Sequence, residues 1–310
     1  MKKLLLLAFY MVSTSIAFSQ GCSDAGFCTM GAMKPDQPYN KNQLVRLRSM
    51  DLSFYRGTTT LTPIVYVATA DLNFSIGRKT TFQVKLPYQF IRGELANTAS
   101  VSDISICFTR NIYSSDKFEV NLSVGGKLPS NNSNKKDEEG NALPMYYQTS
   151  LGSYDFITGI SLKSRQWLFA TGIQHPFNKN GNQFLWSSWN GDQDEKDHVK
   201  TYAQSNHLKR GTDVMFRVER NFRFSQFNYS IGLLPIYRIT NDQIEDQNGN
   251  TVKPVGAKGL AMSGIATMGY NFNVKSGIRL LVGHKFVQRD KNPDGLTREL
   301  VSSLTYTYRF

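Results

Sequence analysis

The sequence predicts an all-β protein, a transmembrane antiparallel β-barrel of about twelve strands, and three observations lead to this prediction. Long segments alternate between apolar and polar residues, the predicted connections alternate between short and long, and the chain ends on an alternating aromatic segment. Strict period two indicates strands, because successive side chains of a pleated backbone point to opposite faces. Typical strands have only about six residues. Segments twice that long with one wide apolar face therefore favour strands that cross a membrane.

The hairpin over residues 62–90 shows the alternation most clearly. In its first arm every second residue from Ile64 to Ile76 is apolar, while the residues between them include Asp71. After a tight turn, the second arm repeats the pattern, with Lys85 opposite its apolar face. Charges in the middle of a strand that is apolar on its other face are typical of a barrel with lipid outside and a wet lumen inside.

The first twenty residues have the features of a secretory signal peptide. Lys2 and Lys3 form its basic region, residues 4–16 its apolar core, and a short segment ending at Gln20 its exit. We expect cleavage after Gln20. A lipoprotein cut before Cys22 is the alternative, but Ser-Gln-Gly matches such a site poorly.

The mature chain is predicted to have two parts. Residues 21–43 are polar and contain two prolines, so we expect a periplasmic N-terminal segment or a plug of the lumen. Residues 44–310 are expected to form the barrel. No run of eighteen apolar residues follows the signal, which leaves a secreted, periplasmic or outer-membrane location for an exported protein. The strand pattern favours the cell outer membrane.

The chain is basic, with a net charge of +12, or +10 without the two lysines of the signal peptide. Lysine and arginine are spread along strands and turns without a dense cluster, which argues against nucleic acid as a partner. Basic residues here suit anionic headgroups of lipid and lipopolysaccharide, or anionic solutes near a pore. The expected partners are these lipids, the barrel assembly machinery and a small-molecule solute, and no cofactor is predicted.

Three cysteines are present, at positions 22, 28 and 107. In an oxidising compartment, a local disulfide between Cys22 and Cys28 is the default expectation. A soft Cu(I) site that also uses Met30 and Met33 is the alternative. Cys107 falls in mid-strand on the lumen face, where a small packed side chain is expected.

The predicted strands and connections follow a regular scheme. Connections after every even-numbered strand have about two to four residues, while the others run up to about thirty. This is the arrangement of short periplasmic turns and long extracellular loops of outer-membrane barrels, and an even strand number places both termini in the periplasm. The predicted strands span residues 44–56, 62–76, 80–90, 101–113, 118–128, 147–163, 166–177, 211–222, 227–240, 259–273, 277–288 and 297–310.

The chain ends on a segment that is apolar at every second position, with Tyr306, Tyr308 and Phe310 on one face. A terminal aromatic residue that closes an unbroken alternation resembles the recognition signal of the barrel assembly machinery. These three residues are therefore predicted to be an assembly signal.

Charged residues of both signs fall on the inward faces of the predicted strands. Lumen charges tune selectivity in barrels, so these residues are candidates for the lining of a pore. The alternative is a network of salt bridges that stiffens the wall. The candidates are Asp71, Lys85, Asp103, Glu119, Lys127, Asp155, Asp213, Arg217 and Arg279. Among them, Lys85, Asp103, Lys127 and Asp155 are expected in the upper lumen.

The longest predicted loop is polar but contains Trp186 and Trp189. These tryptophans are candidates for the mouth of the barrel, where such residues anchor to lipid headgroups, fold a loop inward or hold a ligand. His175, His198 and His207 have no recognised metal-ligand spacing, and no metal site is predicted.

Three segments carry a resemblance to a known family. They begin at Val101 (V-S-D-I-S-I-C-F-T-R-N), Val124 (V-G-G-K-L-P-S) and Leu151 (L-G-S-Y-D-F-I-T-G-I-S). They resemble the outer-membrane family named for the meta-pathway of phenol degradation, with its GD-I strand, G-K-P-T-G strand end and G-S-D strand start. Ser102 replaces the expected glycine, and Ser-Asn at 130–131 replaces Thr-Gly. The resemblance implies a transport barrel for hydrophobic compounds and supplies no catalytic residue.

The pattern and the resemblance together predict an outer-membrane channel for passive uptake of small molecules, hydrophobic or aromatic compounds being the class that the resemblance implies. A non-conducting structural or adhesion barrel that acts through its extracellular loops is the first alternative. An outer-membrane enzyme is the second, because His284 and Ser302 fit the lipid-facing placement of a lipase-type pair. No orienting motif surrounds either residue, so no enzymatic activity is predicted.

Overall fold

The computed structural model describes residues 45–310. The predicted signal peptide, the segment at residues 21–43 and the pair Cys22 and Cys28 lie outside the described residues. The described part of the chain is almost entirely β-structure, with one short α-helix, α1 (Gln193–Val199), in a loop.

The strands have the length that the alternation predicts. Twelve of them have ten to fourteen residues. Strands of this length suffice to cross a hydrocarbon layer when they are tilted. The strands are β1 Val45–Thr58, β2 Ile64–Ile76, β3 Thr80–Arg92, β4 Asn97–Val101, β5 Ile104–Ser114, β6 Phe118–Leu128, β7 Asp155–Ser164, β8 Trp167–Pro176, β9 Asp213–Phe224, β10 Phe227–Arg238, β11 Ile244–Glu245, β12 Thr251–Val252, β13 Gly259–Asn271, β14 Ser276–Val287 and β15 Leu300–Arg309.

The sheet closes on itself as an antiparallel barrel. β1 pairs with β2 on one side and with the last strand, β15, on the other, so the first and last strands seal the wall. β4 and β5 both pair with β3 and act as one wall strand, interrupted at Ser102 and Asp103. The short β11–β12 hairpin belongs to a loop. The wall therefore has twelve strands, and the predicted fold class is confirmed.

The two faces of the wall differ as the sequence predicts. Outward side chains are apolar and exposed, for example Phe54 at 53% and Ile231 at 63%. Inward side chains are polar and buried, for example Asp71 at 5% and Arg217 at 0%. A continuous apolar exterior is stable only in contact with lipid, because exposed apolar area on this scale is unfavourable in water.

The first predicted strand alternated poorly, and the structure gives the reason. Pairing between β1 and β2 shifts register between Leu47 and Ser49, which leaves Arg48 as an extra residue in β1. Such a bulge changes the face on which subsequent residues lie. Alternation over residues 44–56 taken by itself predicts that Arg46 and Arg48 interrupt the lipid face, but Arg46 pairs opposite Ser75 on the lumen side.

The strand predicted at residues 147–163 is too long at its start. β7 begins only at Asp155, and the residues before it form a 3-10 turn (Met145–Tyr147) and a buried irregular segment. Gly152 adopts φ +68°, a conformation that L side chains rarely adopt, and a Cβ there would meet the Ser133 hydroxyl. The segment therefore leaves the sheet and folds into the barrel instead of extending its wall.

Candidate functional site

The lumen opens widely at the end of the short turns. A vestibule of about 1100 Å³ is lined there by the turns after β5, β7, β9 and β13, by the adjoining ends of β2 and β3 and by both ends of the described chain. Since short turns face the periplasm in bacterial outer-membrane barrels, this end is the periplasmic one. Glu119, a predicted pore-lining residue, contributes to this lining.

A smaller cavity of about 200 Å³ lies further up the lumen. One part of its lining is apolar and includes Val65, Val67, Ile265, Leu281 and Val301. The remainder is polar and charged. Six predicted pore-lining residues line this cavity together, namely Asp71, Lys85, Asp103, Lys127, Arg217 and Arg279.

The vestibule and this cavity come closest along β2 and β3, where at most one inward side chain lies between their linings, whereas three inward positions lie between them on β5 and β6. On β2, Asn73 lines the vestibule, and Asp71, the next inward residue, lines the cavity. On β3, only Gln83 stands between the lining residues of the two spaces, and its Nε2 donates to both carboxylate oxygens of Asp71 at 2.9 and 2.8 Å. Gln83 of β3 and Glu219 of β9, which accepts from Arg217 Nε at 2.7 Å, are buried residues that lie between the two linings on their strands and are here called the septum.

The opposite end of the lumen is covered by folded loops, here called the extracellular cap and comprising residues 129–154, 177–212 and 288–299. An apolar cluster of loop side chains packs against the inner wall at Val65 of β2 and Ile91 of β3. Leu143, Phe184 and Val199 are each fully buried in it. The cap also supplies the upper boundary of the inner cavity, through Met145, residues 148–151, Leu296 and Arg298.

Hydroxyl groups tie the cap to the start of the β2–β3 hairpin. The Thr62 hydroxyl lies 3.2 Å from the Tyr147 hydroxyl and 2.9 Å from that of Tyr202, and the two tyrosine hydroxyls are 3.2 Å apart. The backbone amide of Leu95 donates to Tyr147 at 3.2 Å. Burial raises the pKa of Tyr202 far above its usual range, so its hydroxyl stays protonated and remains a donor.

A buried group of charges joins two loops to the ends of β9 and β10 and is here called the cap ion cluster. Arg238 is 1% exposed, and its guanidinium lies 2.7 Å from Asp213, 2.8 Å from Asp242 and 2.8 Å from Asp294. Arg289 lies 3.5 Å from Asp294 and 4.0 Å from Asp242. Because each carboxylate comes from a different part of the chain, the cluster holds loops 239–258 and 288–299 against the end of β9.

The two loop carboxylates of the cap ion cluster titrate differently. Burial opposes ionisation of Asp294, but the charges of Arg238 and Arg289 outweigh it and lower the pKa of Asp294. For Asp242, burial is the stronger effect and, together with the nearby Asp294 charge, it raises the pKa. Asp294 is therefore the carboxylate that holds the two arginines in ion pairs.

Two predicted pore-lining residues lie outside the cavity lining. Asp155 was expected in the upper lumen, but it is 3% exposed and paired with Arg210 at 3.1 Å. Asp213 belongs to the cap ion cluster. Both sites follow the alternative of salt bridges within the protein, because each carboxylate meets an arginine from a loop or an adjacent strand end.

The two loop tryptophans occupy different environments. Trp189 is 6% exposed and packs edge-on against Phe184 inside the cap. Trp186 is 37% exposed, and its indole Nε1 donates to the Tyr202 carbonyl at 2.8 Å. Of the three roles considered for this loop, the geometry of Trp189 corresponds to inward folding into the mouth of the barrel.

The histidines each have their own surroundings. His175 Nδ1 lies 2.8 Å from the Thr212 hydroxyl, His198 lies 3.4 Å from Glu94 and His207 lies 4.0 Å from Glu245. Within residues 45–310, no group of three or more His, Cys, Asp or Glu side chains is arranged to hold a metal ion. In the same part of the chain, no helix is long and apolar enough to cross a membrane.

The lipase-type pair, His284 and Ser302, and the predicted assembly signal lie on the last two strands of the wall. His284 stands opposite Leu300 and Ser302 opposite Val282, so the two residues are offset along β14 and β15. Tyr306 and Phe310 are 41% and 55% exposed on the outer face, and the ring of Phe310 lies 5.1 Å from that of Tyr308.

The barrel is similar to the crystal structure of an outer membrane channel from Pseudomonas putida F1, with a TM-score of 0.62 and 13% sequence identity, over 89% of this chain and 100% of that one. The chain has the fold of an outer-membrane β-barrel. A NanC porin (TM-score 0.47, 9% identity, 84% of this chain and 98% of that one) and a KdgM porin solved in complex with disordered oligogalacturonate (TM-score 0.46, 7% identity, 84% and 99%) are more distant.

With the lipid-facing exterior, this fold locates the protein in the outer membrane, as predicted. No protein-family model matches the chain. No curated protein sequence matches it either. The resemblance to the meta-pathway family therefore stays a prediction, while the outer-membrane barrel on which it depended is established by the fold.

Several important residues were missed by sequence reasoning. Asp51 lines the cavity, but the bulge in β1 hid its inward position. Gln83 was treated only as a polar residue of a predicted strand. Arg238 was assigned to a strand end, and Asp242 and Asp294 were assigned to loops. For the cap, a signal was present: apolar and aromatic residues within otherwise polar loops indicate that the loops pack against something.

Proposed function

We propose that the protein is an outer-membrane channel for passive diffusion of small molecules. The observation that carries this proposal is the pair of spaces in one lumen, the vestibule of about 1100 Å³ and the cavity of about 200 Å³, whose linings are at most one inward side chain apart on β2 and β3. A barrel that served only as a scaffold would have no need for two adjoining spaces along its axis. Gln83 and Glu219 are the side chains that must move for a solute to pass between them.

The inner cavity supports a substrate class of small amphipathic molecules. Its apolar wall residues, such as Val65 and Leu281, favour a hydrocarbon or aromatic portion, and its charged wall residues, such as Lys85 and Lys127, favour a polar group. Hydrophobic and aromatic compounds with one polar substituent satisfy both walls. This is the class that the sequence resemblance implies.

The extracellular cap is the barrier that uptake must overcome. Its apolar cluster and its ion cluster make it a packed structure and not a set of loose loops. In this proposal, solutes enter when the cap opens, and diffusion to the vestibule then needs only side-chain rotation at the septum. Loop motions of this kind occur on microsecond to millisecond timescales.

Single-channel recording in planar bilayers tests the proposal. The mature protein is compared with a variant lacking residues 21–43 and with a variant in which residues 183–204 are replaced by a short Gly-Ser linker. The replacement of residues 183–204 is feasible because the side chains of Asn182 and Ser205 already lie in contact, with the Ser205 hydroxyl 2.7 Å from Asn182 Oδ1. It removes Phe184, Trp189, Val199 and Tyr202 from the cap cluster.

The three recordings have separate meanings. We expect low or intermittent conductance for the mature protein and steady conductance for the cap-shortened variant. Conductance that appears only without residues 21–43 would make that segment a plug. Silence in all three proteins, with correct folding shown by heat-modifiable migration on gels, would overturn the channel proposal in favour of a structural or adhesion barrel.

A further inference from the structure

The periplasmic vestibule has a strongly unequal charge. Among residues 45–310, eight of the side chains that line it are cationic and two are anionic. Whatever their individual contacts, these two side-chain carboxylates neutralise at most two of the eight cations. The cations are Arg46, Arg48, Lys117, Lys163, Arg165, Arg223, Lys275 and Arg309, and the anions are Asp116 and Glu119.

The fold places these cations in an arc around the vestibule. Lys163 of β7, Arg223 of β9 and Arg309 of β15 lie on inward positions at the periplasmic ends of their strands. The turns add Arg165 and Lys275 between them. β2 and β3 complete the circle with neutral polar residues, Asn73, Ser75 and Thr81.

The inner cavity lacks this imbalance. Its lining has five cations, among them Arg279 and Arg298, and four carboxylates. Some of these charges are also paired at close range, as Lys127 is with Asp103 at 3.9 Å. Selection by charge is therefore concentrated at the vestibule and not distributed along the lumen.

We infer that the vestibule is an anion-selective filter, so that the channel passes small anionic solutes such as carboxylates, sulfonates and phosphates in preference to cations. Rings of Arg and Lys side chains give pores this preference. A charged cleft with low-dielectric walls concentrates counter-ions at its surface. This raises their association rates by roughly 10- to 1000-fold. The inference rests on the proposed channel function and adds the substrate charge to it.

Reversal potentials test the inference directly. The cap-shortened protein, which removes the outer barrier, is recorded in a tenfold KCl gradient at low ionic strength, where the screening length is about 10–30 Å. We expect a reversal potential whose sign is that of the chloride equilibrium potential. The potential should move towards zero as both solutions are raised to about 1 M salt, where the screening length is about 3 Å.

Charge substitutions locate the filter. Arg46→Gln, Arg165→Gln and Lys275→Gln together remove three of the eight vestibule cations and should reduce the chloride preference several-fold. The corresponding three changes to Glu leave five cations and five side-chain carboxylates and should bring the reversal potential close to zero. The matched control is Lys136→Gln, Lys253→Gln and Lys258→Gln, which removes the same charge from exposed extracellular loop positions retained in the cap-shortened protein and should leave selectivity unchanged.

A second readout does not depend on conduction. Inorganic pyrophosphate, a small polyvalent anion, should bind the detergent-solubilised protein in calorimetry, and the Glu variant should abolish this binding. A conducting channel that prefers potassium, or whose chloride preference survives the Glu variant, would overturn the inference and leave the channel proposal intact. Absence of conductance overturns the channel proposal, and absence of pyrophosphate binding then overturns the vestibule inference separately.

Discussion

At the scale of single residues, Gln83 is the side chain on which passage through the proposed channel is expected to depend most. It is 3% exposed, lies between the linings of the vestibule and the cavity on β3, and donates to Asp71 of the neighbouring strand. Gln83→Ala should raise single-channel conductance, because the septum loses its amide. The same change should lower stability by about 1.5–3 kcal/mol, since a hydrogen bond to a charged group is lost.

Conductance and urea unfolding of the two proteins in lipid vesicles check this prediction. Gln193→Ala on the exposed loop helix is the control, and neither quantity should change. An unaltered conductance with the expected loss of stability would show that the current does not pass the septum at Gln83.

Arg238 is the residue on which the cap ion cluster depends. It meets three carboxylates within 2.8 Å, and Arg238→Met would leave them buried next to one another. Breaking a buried ion pair by removing one partner costs about 3–5 kcal/mol. We expect loss of unfolding free energy in that range together with proteolytic cleavage in loop 239–258.

Limited proteolysis followed by mass spectrometry measures the second effect. Lys200→Met, in an exposed ion pair with Asp197, is the control and should behave as the wild type. An Arg238→Met protein with full protease resistance would show that the apolar cluster alone holds the cap.

Sequence reasoning predicted which charged residues face inward but not which of them form ion pairs. The inward position of Asp71, Lys85 and Lys127 follows from alternation alone, because pleating is a local property. The partners of Asp155 and Asp213 do not follow, since Arg210 and Arg238 reach them through loop folding and strand pairing. A charge on the lumen face is thus predictable from sequence, but whether it is paired is not.

At the scale of elements, the cap and the wall obey different rules. The wall strands are set by period two and by pairing between neighbours, and their predicted spans agree with the structure except at β1, β4–β5 and β7. The exception at β7 arises because Ser150 and the Leu151 amide donate to Asp103, drawing the segment inward. This contact joins residues 48 positions apart, and no local pattern encodes it.

Acid should release the cap at a pH set by Asp294. Its pKa is lowered in the folded protein, so its contribution is fully present above the unfolded carboxyl value of about 3.9 and is lost as pH falls through the lower folded value. Asp242, whose pKa is raised, has the opposite sign, and its protonation at milder pH favours the folded cap. The cap should therefore remain closed between pH 7 and about 4.5 and lose stability progressively as pH falls below the unfolded carboxyl value of about 3.9.

Fluorescence quenching follows this transition. With Trp167→Phe and Trp186→Phe, Trp189 is the single indole, and acrylamide should quench it only below the transition. A rise in quenching between pH 7 and 5 would contradict the claim that Asp294 and its arginines hold the cap closed.

At the scale of the whole molecule, the barrel is closed at one end and open at the other. The extracellular cap is packed and ion-paired, whereas the periplasmic vestibule is wide and basic. The number of strands and the lengths of the connections were predictable from the sequence, because both follow from hydrophobic periodicity. The asymmetry of the lumen was not, because it depends on which loops fold inward and on which inward charges find partners.

The central claim is that solutes pass through the lumen at the level of the septum, and Cys107 offers a direct test. It is a free thiol on β5, 2% exposed, paired in register with Gln83. With Cys22→Ser and Cys28→Ser it is the only thiol of the chain, and Cys107→Ser is the matched control.

The measurement is single-channel current of the cap-shortened protein during exposure to an anionic methanethiosulfonate reagent. The account predicts a stepwise fall in current as the thiol reacts, restored by a reductant and absent from the Cys107→Ser protein. Passage through this lumen would be contradicted if the current persisted after mass spectrometry had shown complete modification of Cys107. It would also be contradicted if the thiol never reacted while current flowed.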